Sequence, residues 1–268
     1  MFQLKGKVVI VTGGAGALGG MMALGLAKQG VRVGVLGRTA KTVQFKVDEI
    51  VNVGGEAIAL VADVLNREQL EKAYREVVQK WGSIDILVNA AGGNMKGATI
   101  MPNESFFNMD MDDFDAVTKL NLKGTVLPTL IFGKQMAQQE KGSIINISSM
   151  AAQQALTRVV GYSTSKASVD IFTKWLAVEM AQKHSEKIRV NAISPGFFIG
   201  EQNRSLLLNK DNSLTSRGET IVNNTPMKRF GEPEELLSTL FWLCSDSSSF
   251  VTGIVVPIDG GFSAFSGV

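Results

Sequence analysis

Tyr162 and Lys166 stand four residues apart in Gly161-Tyr162-Ser163-Thr164-Ser165-Lys166, inside a run that reads as helix. That spacing places the phenol and the ammonium on one face, one turn apart. A free phenol titrates near pH ~10. A fixed cation beside it favours the phenolate and lowers that value. Reaching neutrality takes about three pH units, or roughly 4 kcal/mol of differential stabilisation. A phenol tuned in this way exchanges a proton with a substrate oxygen. Ser149 lies upstream, where the apolar run Ser143-Ile144-Ile145-Asn146-Ile147-Ser148 ends, and that run reads as a buried strand. Taken alone, a Tyr-x-x-x-Lys pair also fits an exposed helix pair; the elements around it decide.

Lys7 to Val11 is an apolar, β-branched run with the pattern of a buried strand. It runs into Thr12-Gly13-Gly14-Ala15-Gly16-Ala17-Leu18-Gly19-Gly20, and an apolar helical pattern follows from Met21 to Gln29. Strand, glycine turn and helix form a dinucleotide-binding arrangement. The glycines let the backbone approach a pyrophosphate, and the helix N-terminus presents free N–H groups and the positive end of its dipole. The second strand, Val31 to Leu36, ends at Gly37-Arg38-Thr39. An acid at that place accepts from a ribose 2′-OH and repels a 2′-phosphate. Its absence, with a guanidinium added, favours NADP(H) and leaves NAD(H) open. A solvated loop charge is the other reading of Arg38.

Thr42 to Val53 reads as helix and Ala57 to Val61 as strand, ending at Asp63-Val64. Asp63 there suits acceptance from an adenine amino group, and equally an N-cap for the helix beginning near Asn66. Arg67 to Trp81 is amphipathic helix, and Ile84 to Val88 is strand, ending Asn89-Ala90-Ala91-Gly92-Gly93. The aperiodic stretch Asn94 to Asp112 is longer than the roughly 2–6 residues usual for such a connection. Long loops at the carboxyl edge of a parallel sheet carry substrate contacts, although a surface embellishment fits too. Phe114 to Gln138 reads as one long helix with Asn121 near its middle, where a polar side chain needs a partner. Ile188 to Ile193 is strand, followed by Ser194-Pro195-Gly196 and by a polar, broken flap over 197–230. The flap carries Glu201, Gln202, Asn203, Arg204, Lys210, Arg217, Lys228 and Arg229. Pro233 to Cys244 reads as helix and Gly253 to Pro257 as the last strand. With no repeat or linker, residues 1–268 are expected to form one α/β domain, a doubly wound parallel sheet of the Rossmann type.

Composition narrows the partners. The chain has 268 residues, 45% hydrophobic and 19% charged, with formal net charge +2, so nothing argues for nucleic acid. No apolar run reaches the roughly 18 residues that suggest a membrane helix. No signal peptide is expected before the first strand, and the single cysteine, Cys244, fits a core position in a cytoplasmic protein. His184 is the only histidine and reads as part of a solvated helix end, so no metal site is expected.

In order, the Thr12-to-Gly19 turn, Asp63, Asn89-Ala90-Ala91-Gly92, Asn121, Ser149, Tyr162-x-x-x-Lys166, Pro195-Gly196 and Asp259-Gly260-Gly261 resemble the short-chain dehydrogenase/reductase family across almost the whole chain. The resemblance implies a mostly seven-stranded parallel sheet, bound NAD(H) or NADP(H), and a homotetramer. It implies Tyr162 as general acid/base, Lys166 on the ribose and lowering the phenol, Ser149 on the substrate oxygen, and Asn121 positioning a water beside Lys166. The cofactor contacts it implies involve Gly13, Gly14, Gly16, Ala17, Leu18, Gly19, Arg38, Thr39, Asp63, Val64, Asn89, Ala90, Ala91, Gly92, Tyr162, Lys166, Pro195, Gly196 and Phe198. Two positions depart from the family pattern. Ala17 replaces a glycine, and Gly200 replaces a threonine that contacts the carboxamide, so nicotinamide anchoring leans on backbone near Phe198 or on the flap.

The flap start Pro195-Gly196-Phe197-Phe198-Ile199-Gly200-Glu201-Gln202-Asn203-Arg204, the Gly92-Gly93-Asn94 loop and Thr225-Pro226-Met227-Lys228-Arg229-Phe230-Gly231 resemble the D-mannonate oxidoreductase (fructuronate reductase) branch. That branch implies a sugar-acid substrate. A carboxylate is best met by arginine, and Arg158 and Arg204 are the candidates, each also readable as a surface charge. Asn94 and Asn203 are candidates for sugar hydroxyls, and Ser149 and Tyr162 for the reacting oxygen. Gluconate 5-dehydrogenase, another polyol dehydrogenase and a 3-oxoacyl reductase keep the same chemistry. The complete Asn121, Ser149, Tyr162 and Lys166 set opposes a catalytically inactive cofactor sensor.

Overall fold

β-Branched and apolar residues alternate faces along each central strand, so both faces of the sheet must be covered. The computed structural model shows how, over residues 2–267. Met1 and Val268 lie outside the described residues, as do the side chains of Glu201 and Gln202. Seven strands, β1 (Val8–Thr12), β2 (Arg32–Gly37), β3 (Glu56–Val61), β4 (Ile86–Asn89), β5 (Gly142–Ile147), β6 (Ile188–Pro195) and β7 (Val255–Ile258), form one sheet in the order β3-β2-β1-β4-β5-β6-β7. All six pairings are parallel. The direction of winding reverses between β1 and β4, which opens a crevice at their carboxyl ends.

Val9 and Val11 of β1, with Ile86 and Val88 of β4, point to the face covered by α1 (Ala17–Lys28), α2 (Ala40–Asn52) and α9 (Leu237–Cys244). Val8, Ile10 and Leu87 point to the other face, covered by α3 (Arg67–Trp81), α5 (Gly124–Gln139) and α6 (Val160–Lys183). Cys244 is buried in the first of these cores, and burial pushes its thiol up to about 12. His184 is exposed at the end of α6, as the sequence suggested.

Beyond shifts of a residue or two at several element ends, three differences from the sequence reading bear on the site. α1 begins at Ala17 rather than Met21, because Gly16 caps it and the Gly20 amide already bonds the Gly16 carbonyl at 2.7 Å. The expected single helix from Phe114 to Gln138 is three pieces: α4 (Met111–Thr118), a π-helical turn (Lys119–Lys123) and α5. Asn121 causes no loss of pattern in sequence, but its side chain reaches out of the helix to Gly93, and the widened turn accommodates this. The flap is partly helical, with α7 (Glu201–Leu207) and α8 (Ser216–Asn224) tied together by Thr215, whose Oγ1 donates to the Leu206 carbonyl at 2.7 Å.

Candidate active site

The glycine turn joins β1 to α1 by close backbone contacts. Gly13 has φ +63, and a Cβ there would lie 2.9 Å from the Ala90 carbonyl oxygen and the Ala91 amide nitrogen. Gly19 is tighter, since a Cβ would sit 2.4 Å from the Gly13 carbonyl oxygen. Gly14 donates its amide to Leu36 O at 3.1 Å, tying the turn to β2. Gly16, Ala17 and Leu18 then present the start of α1, whose first turn carries no acid. The Thr12 hydroxyl accepts from the Ala90 and Ala91 amides, both at 3.1 Å, and closes the crevice floor. This small-residue cradle before a helix N-terminus fits a dinucleotide pyrophosphate.

Ala17 and Gly200, the two departures from the family pattern, face each other. A Cβ on Gly200 would meet the Ala17 methyl at 3.6 Å. The added methyl thus occupies the side of the cradle that a smaller residue at 200 leaves open. At the end of β2, a Cβ on Gly37 would lie 2.9 Å from Val43 Cγ2, so an acid cannot be added there without displacement. Arg38 and Thr39 are exposed beyond it, and Thr39 is the N-cap position of α2.

Some expected cofactor residues hold structure through their side chains. Asp63 Oδ1 accepts from the Leu65 amide at 2.8 Å in a local turn, while the helix cap belongs to Asn66, which accepts from Gln69 N at 3.1 Å. Val64 is buried and packs beside Gly124. The Asn89 side chain points into the core and donates to Thr129 Oγ1 and Asn146 Oδ1, each at 2.9 Å, so only its backbone faces the crevice. Pro195 is buried at the end of β6, and Gly196 donates to Ile258 O at 2.9 Å. The Phe198 ring is buried in the core, so this residue too offers only backbone.

At the carboxyl ends of β4 and β5 the reactive side chains converge. Ser149 is buried and caps the short turn Met150–Ala152. Tyr162 is half-buried in the first turn of α6, where Ser149 lies close enough to act on its phenol. Lys166 is buried; its Nζ donates to the Ile147 carbonyl at 2.7 Å and stands 5.6 Å from the centre of the Tyr162 ring. Asn121 is buried: Nδ2 donates to Gly93 O at 2.7 Å and Val117 O at 2.8 Å, and Oδ1 accepts from Gly93 N at 3.1 Å. Gly92 lies between the two, since a Cβ on it would sit 2.6 Å from Asn121 Oδ1 and 3.2 Å from Lys166 Nζ. Ser149, Tyr162, Lys166, Asn121 and Gly92 therefore form one cluster.

The electrostatics correct one expectation. Burial raises the Tyr162 phenol above its ordinary value, and the Ser149 hydrogen bond opposes this in part. The expected lowering by Lys166 is missing because the ammonium is held by the Ile147 carbonyl and lies over the ring face, with burial dominating. Burial also lowers Lys166 to about 8, against the charge of Asp170 one turn further along α6.

The substrate candidates divide. Arg158 precedes α6 with φ +78, a conformation costly for a residue with a Cβ, and its carbonyl accepts from Ile100 N at 2.9 Å. The long loop over 94–110 thus holds Arg158. Asn94 donates to Thr99 Oγ1 at 2.7 Å, while its Oδ1 is buried with no protein partner. Asn203, expected on sugar hydroxyls, instead accepts from Gly200 N at 2.8 Å and donates to Phe198 O at 2.9 Å, fastening the start of α7. Arg204, expected on the carboxylate, is exposed and donates to Asn212 within the flap. Another flap arginine, Arg217, comes to the segment that carries Arg158. It lies in the first turn of α8, half-buried, with Nη1 3.5 Å from Thr157 Oγ1, and burial and then the Arg158 charge lower its pKa. Nothing local in the sequence marks Arg217, because its neighbour is 59 positions away and meets it only through the folded flap.

A parallel sheet with a glycine cradle at its switch point, beside a Ser–Tyr–Lys cluster, defines a nicotinamide-dependent oxidoreductase of alcohol and ketone groups. Residues 13–263 match the family described as enoyl-(acyl carrier protein) reductase. The chain belongs to the short-chain dehydrogenase/reductase family. An uncharacterized oxidoreductase of Bacillus subtilis, UxuB, is 46% identical over 275 residues, covering 99% of this chain and 98% of the relative. A crystal structure from Haemophilus influenza with bound NAD, provisionally described as a D-mannonate oxidoreductase, has 39% identity and a TM-score of 0.92, covering 99% of this chain and 98% of that one. A gluconate 5-dehydrogenase of Burkholderia cenocepacia, in complex with NADP and tartrate, has 28% identity and a TM-score of 0.86, with 98% of each chain covered.

Proposed function

We propose that this protein interconverts D-fructuronate and D-mannonate, with Tyr162 as the general acid in reduction and the general base in oxidation. The observation that carries the reading is the Lys166 ammonium, anchored on the Ile147 carbonyl and held over the Tyr162 ring, beside a loop that holds Arg158. When bound, the nicotinamide supplies and accepts the hydride. Ser149 and Tyr162 hold the substrate oxygen from two sides. The Tyr162 proton passes to that oxygen as it gains negative charge, and the Lys166 ammonium stabilises the phenolate left behind. Asn121 fixes the Gly92-Gly93 backbone against Lys166 and gives that ammonium a rigid wall. Arg158 supplies positive charge for the substrate carboxylate. The similarity to the protein described as a D-mannonate oxidoreductase supports this substrate. A second reading, reduction of 5-keto-D-gluconate, is favoured by a 29% identical 5-keto-D-gluconate 5-reductase of Escherichia coli.

Arg38 favours NADP(H), because Gly37 leaves no side chain to repel a 2′-phosphate; NAD(H) remains usable through the shared cradle. The working form is a homotetramer in the cytoplasm. Ile171, Trp175 and Val178, exposed at 64%, 59% and 56%, form an apolar stripe along α6 that a second copy would cover. Among the described helices none is long and apolar enough to cross a membrane. Incubation of the purified protein with D-mannonate and NADP+ tests the reaction. The product is expected to be D-fructuronate by chromatography against standards; oxidation of D-gluconate alone would contradict the assignment.

A further inference from the structure

We propose that Arg158 and Arg217 together form the carboxylate-binding subsite of the substrate pocket, one guanidinium from the loop before Tyr162 and one from the flap. The inference rests on the sugar-acid reading above and adds the residue that completes it. Arg158 and Arg217 come from elements far apart in the chain, and the fold brings Arg217 against Thr157, next to Arg158. Arg158 is four residues ahead of Tyr162, on a strained backbone at φ +78 clamped by the Ile100 amide. Arg217 is directed to the same place by Thr215, which caps α8 by accepting from the Gly218 amide at 3.1 Å, and by the contact of Nη1 with Thr157 Oγ1 at 3.5 Å.

Neither guanidinium forms an ion pair with a described carboxylate, whereas Arg32, Arg67 and Arg229 each have one. Both are half-buried, and the charge of one acts on the other. Two like charges in partial burial repel, and an anion between them relieves the repulsion while accepting from both. A carboxylate fits because its two oxygens can each take one fork.

The test compares substrates that differ in the anion alone. D-Fructose is D-fructuronate with a hydroxymethyl group in place of the carboxylate, and L-sorbose stands in the same relation to 5-keto-D-gluconate. In R217Q the ratio of kcat/KM for D-fructuronate to that for D-fructose is expected to fall about 10- to 100-fold, mostly through KM, the size of one lost charged hydrogen bond. R158Q is expected to act in the same direction, and R217K to recover part of the ratio. Equal losses on acid and neutral ketose, or an unchanged ratio in both variants, would overturn the subsite. So would faster turnover of D-fructose 6-phosphate than of D-fructuronate, which would make this a phosphate site. If D-fructuronate is not a substrate but 5-keto-D-gluconate is, the same ratio taken against L-sorbose tests the pair while the fructuronate reading fails on its own.

Discussion

Lys166 donates a hydrogen bond from its ammonium to the Ile147 carbonyl at 2.7 Å, and this bond fixes the ammonium over the face of the Tyr162 ring. The charge arriving there is conditional on pH. Burial lowers Lys166 to about 8, and Asp170 opposes that shift. Below that value Lys166 is cationic and stabilises the phenolate formed in reduction; above it the charge is lost. Tyr162, raised by burial, stays protonated throughout this range. The rate of ketone reduction is therefore expected to fall as pH rises through about 8. In D170N the opposing charge is gone, so the fall should move to lower pH. Profiles of kcat against pH for both proteins check this; coincident profiles would remove Asp170 from the account.

In the proposed mechanism Tyr162 is the proton donor, and phenylalanine keeps the ring that Lys166 faces. Y162F is expected to lower kcat by about 10²- to 10⁴-fold with the dissociation constant for NADPH little changed. Single-turnover rates and fluorescence titration of the cofactor separate the two effects. Substantial residual turnover would assign the proton to another group.

Asn121 makes three hydrogen bonds, two of which join the π-helical turn to Gly93 in the loop after β4 and one of which returns to Val117. In N121A the Gly93 amide and carbonyl lose their partner, at a cost of about 1–3 kcal/mol. Urea unfolding should show that loss, together with reduced kcat as Gly92 shifts against Lys166. Unchanged stability would mean that water replaces the amide.

How much of this was legible in the sequence depends on range. The strands and the glycine turn were readable because apolar runs and glycines act locally, and Tyr162 and Lys166 because a four-residue spacing on a helix fixes their proximity. Ser149 could be placed at a strand end. The break at Asn121 was not readable, because its side-chain partner there, Gly93, is 28 positions away. Asn203 and Arg204 looked available as polar flap residues, but the flap uses them to fold itself, Asn203 on Gly200 and Phe198, and Arg204 on Asn212. The direction of the Tyr162 shift depended on depth of burial and on where the Lys166 ammonium is held, neither of which spacing determines.

Arg38 is exposed just past β2, where Gly37 offers no acid. R38D is expected to weaken NADPH about 10- to 100-fold more than NADH, as attraction for the 2′-phosphate turns to repulsion. Paired titrations with the two cofactors measure this. Equal weakening would show that Arg38 does not read that phosphate.

The central claim is that the Ser149–Tyr162–Lys166 cluster acts on a sugar-acid ketone. Initial rates with D-fructuronate, measured with NADPH and with NADH and with 5-keto-D-gluconate as competitor, test it most directly. The account predicts a clear kcat/KM preference for D-fructuronate over 5-keto-D-gluconate and over D-fructose. Turnover of another ketone with none of D-fructuronate would contradict the substrate, leaving the fold and the proton-transfer cluster as a reductase of a different compound.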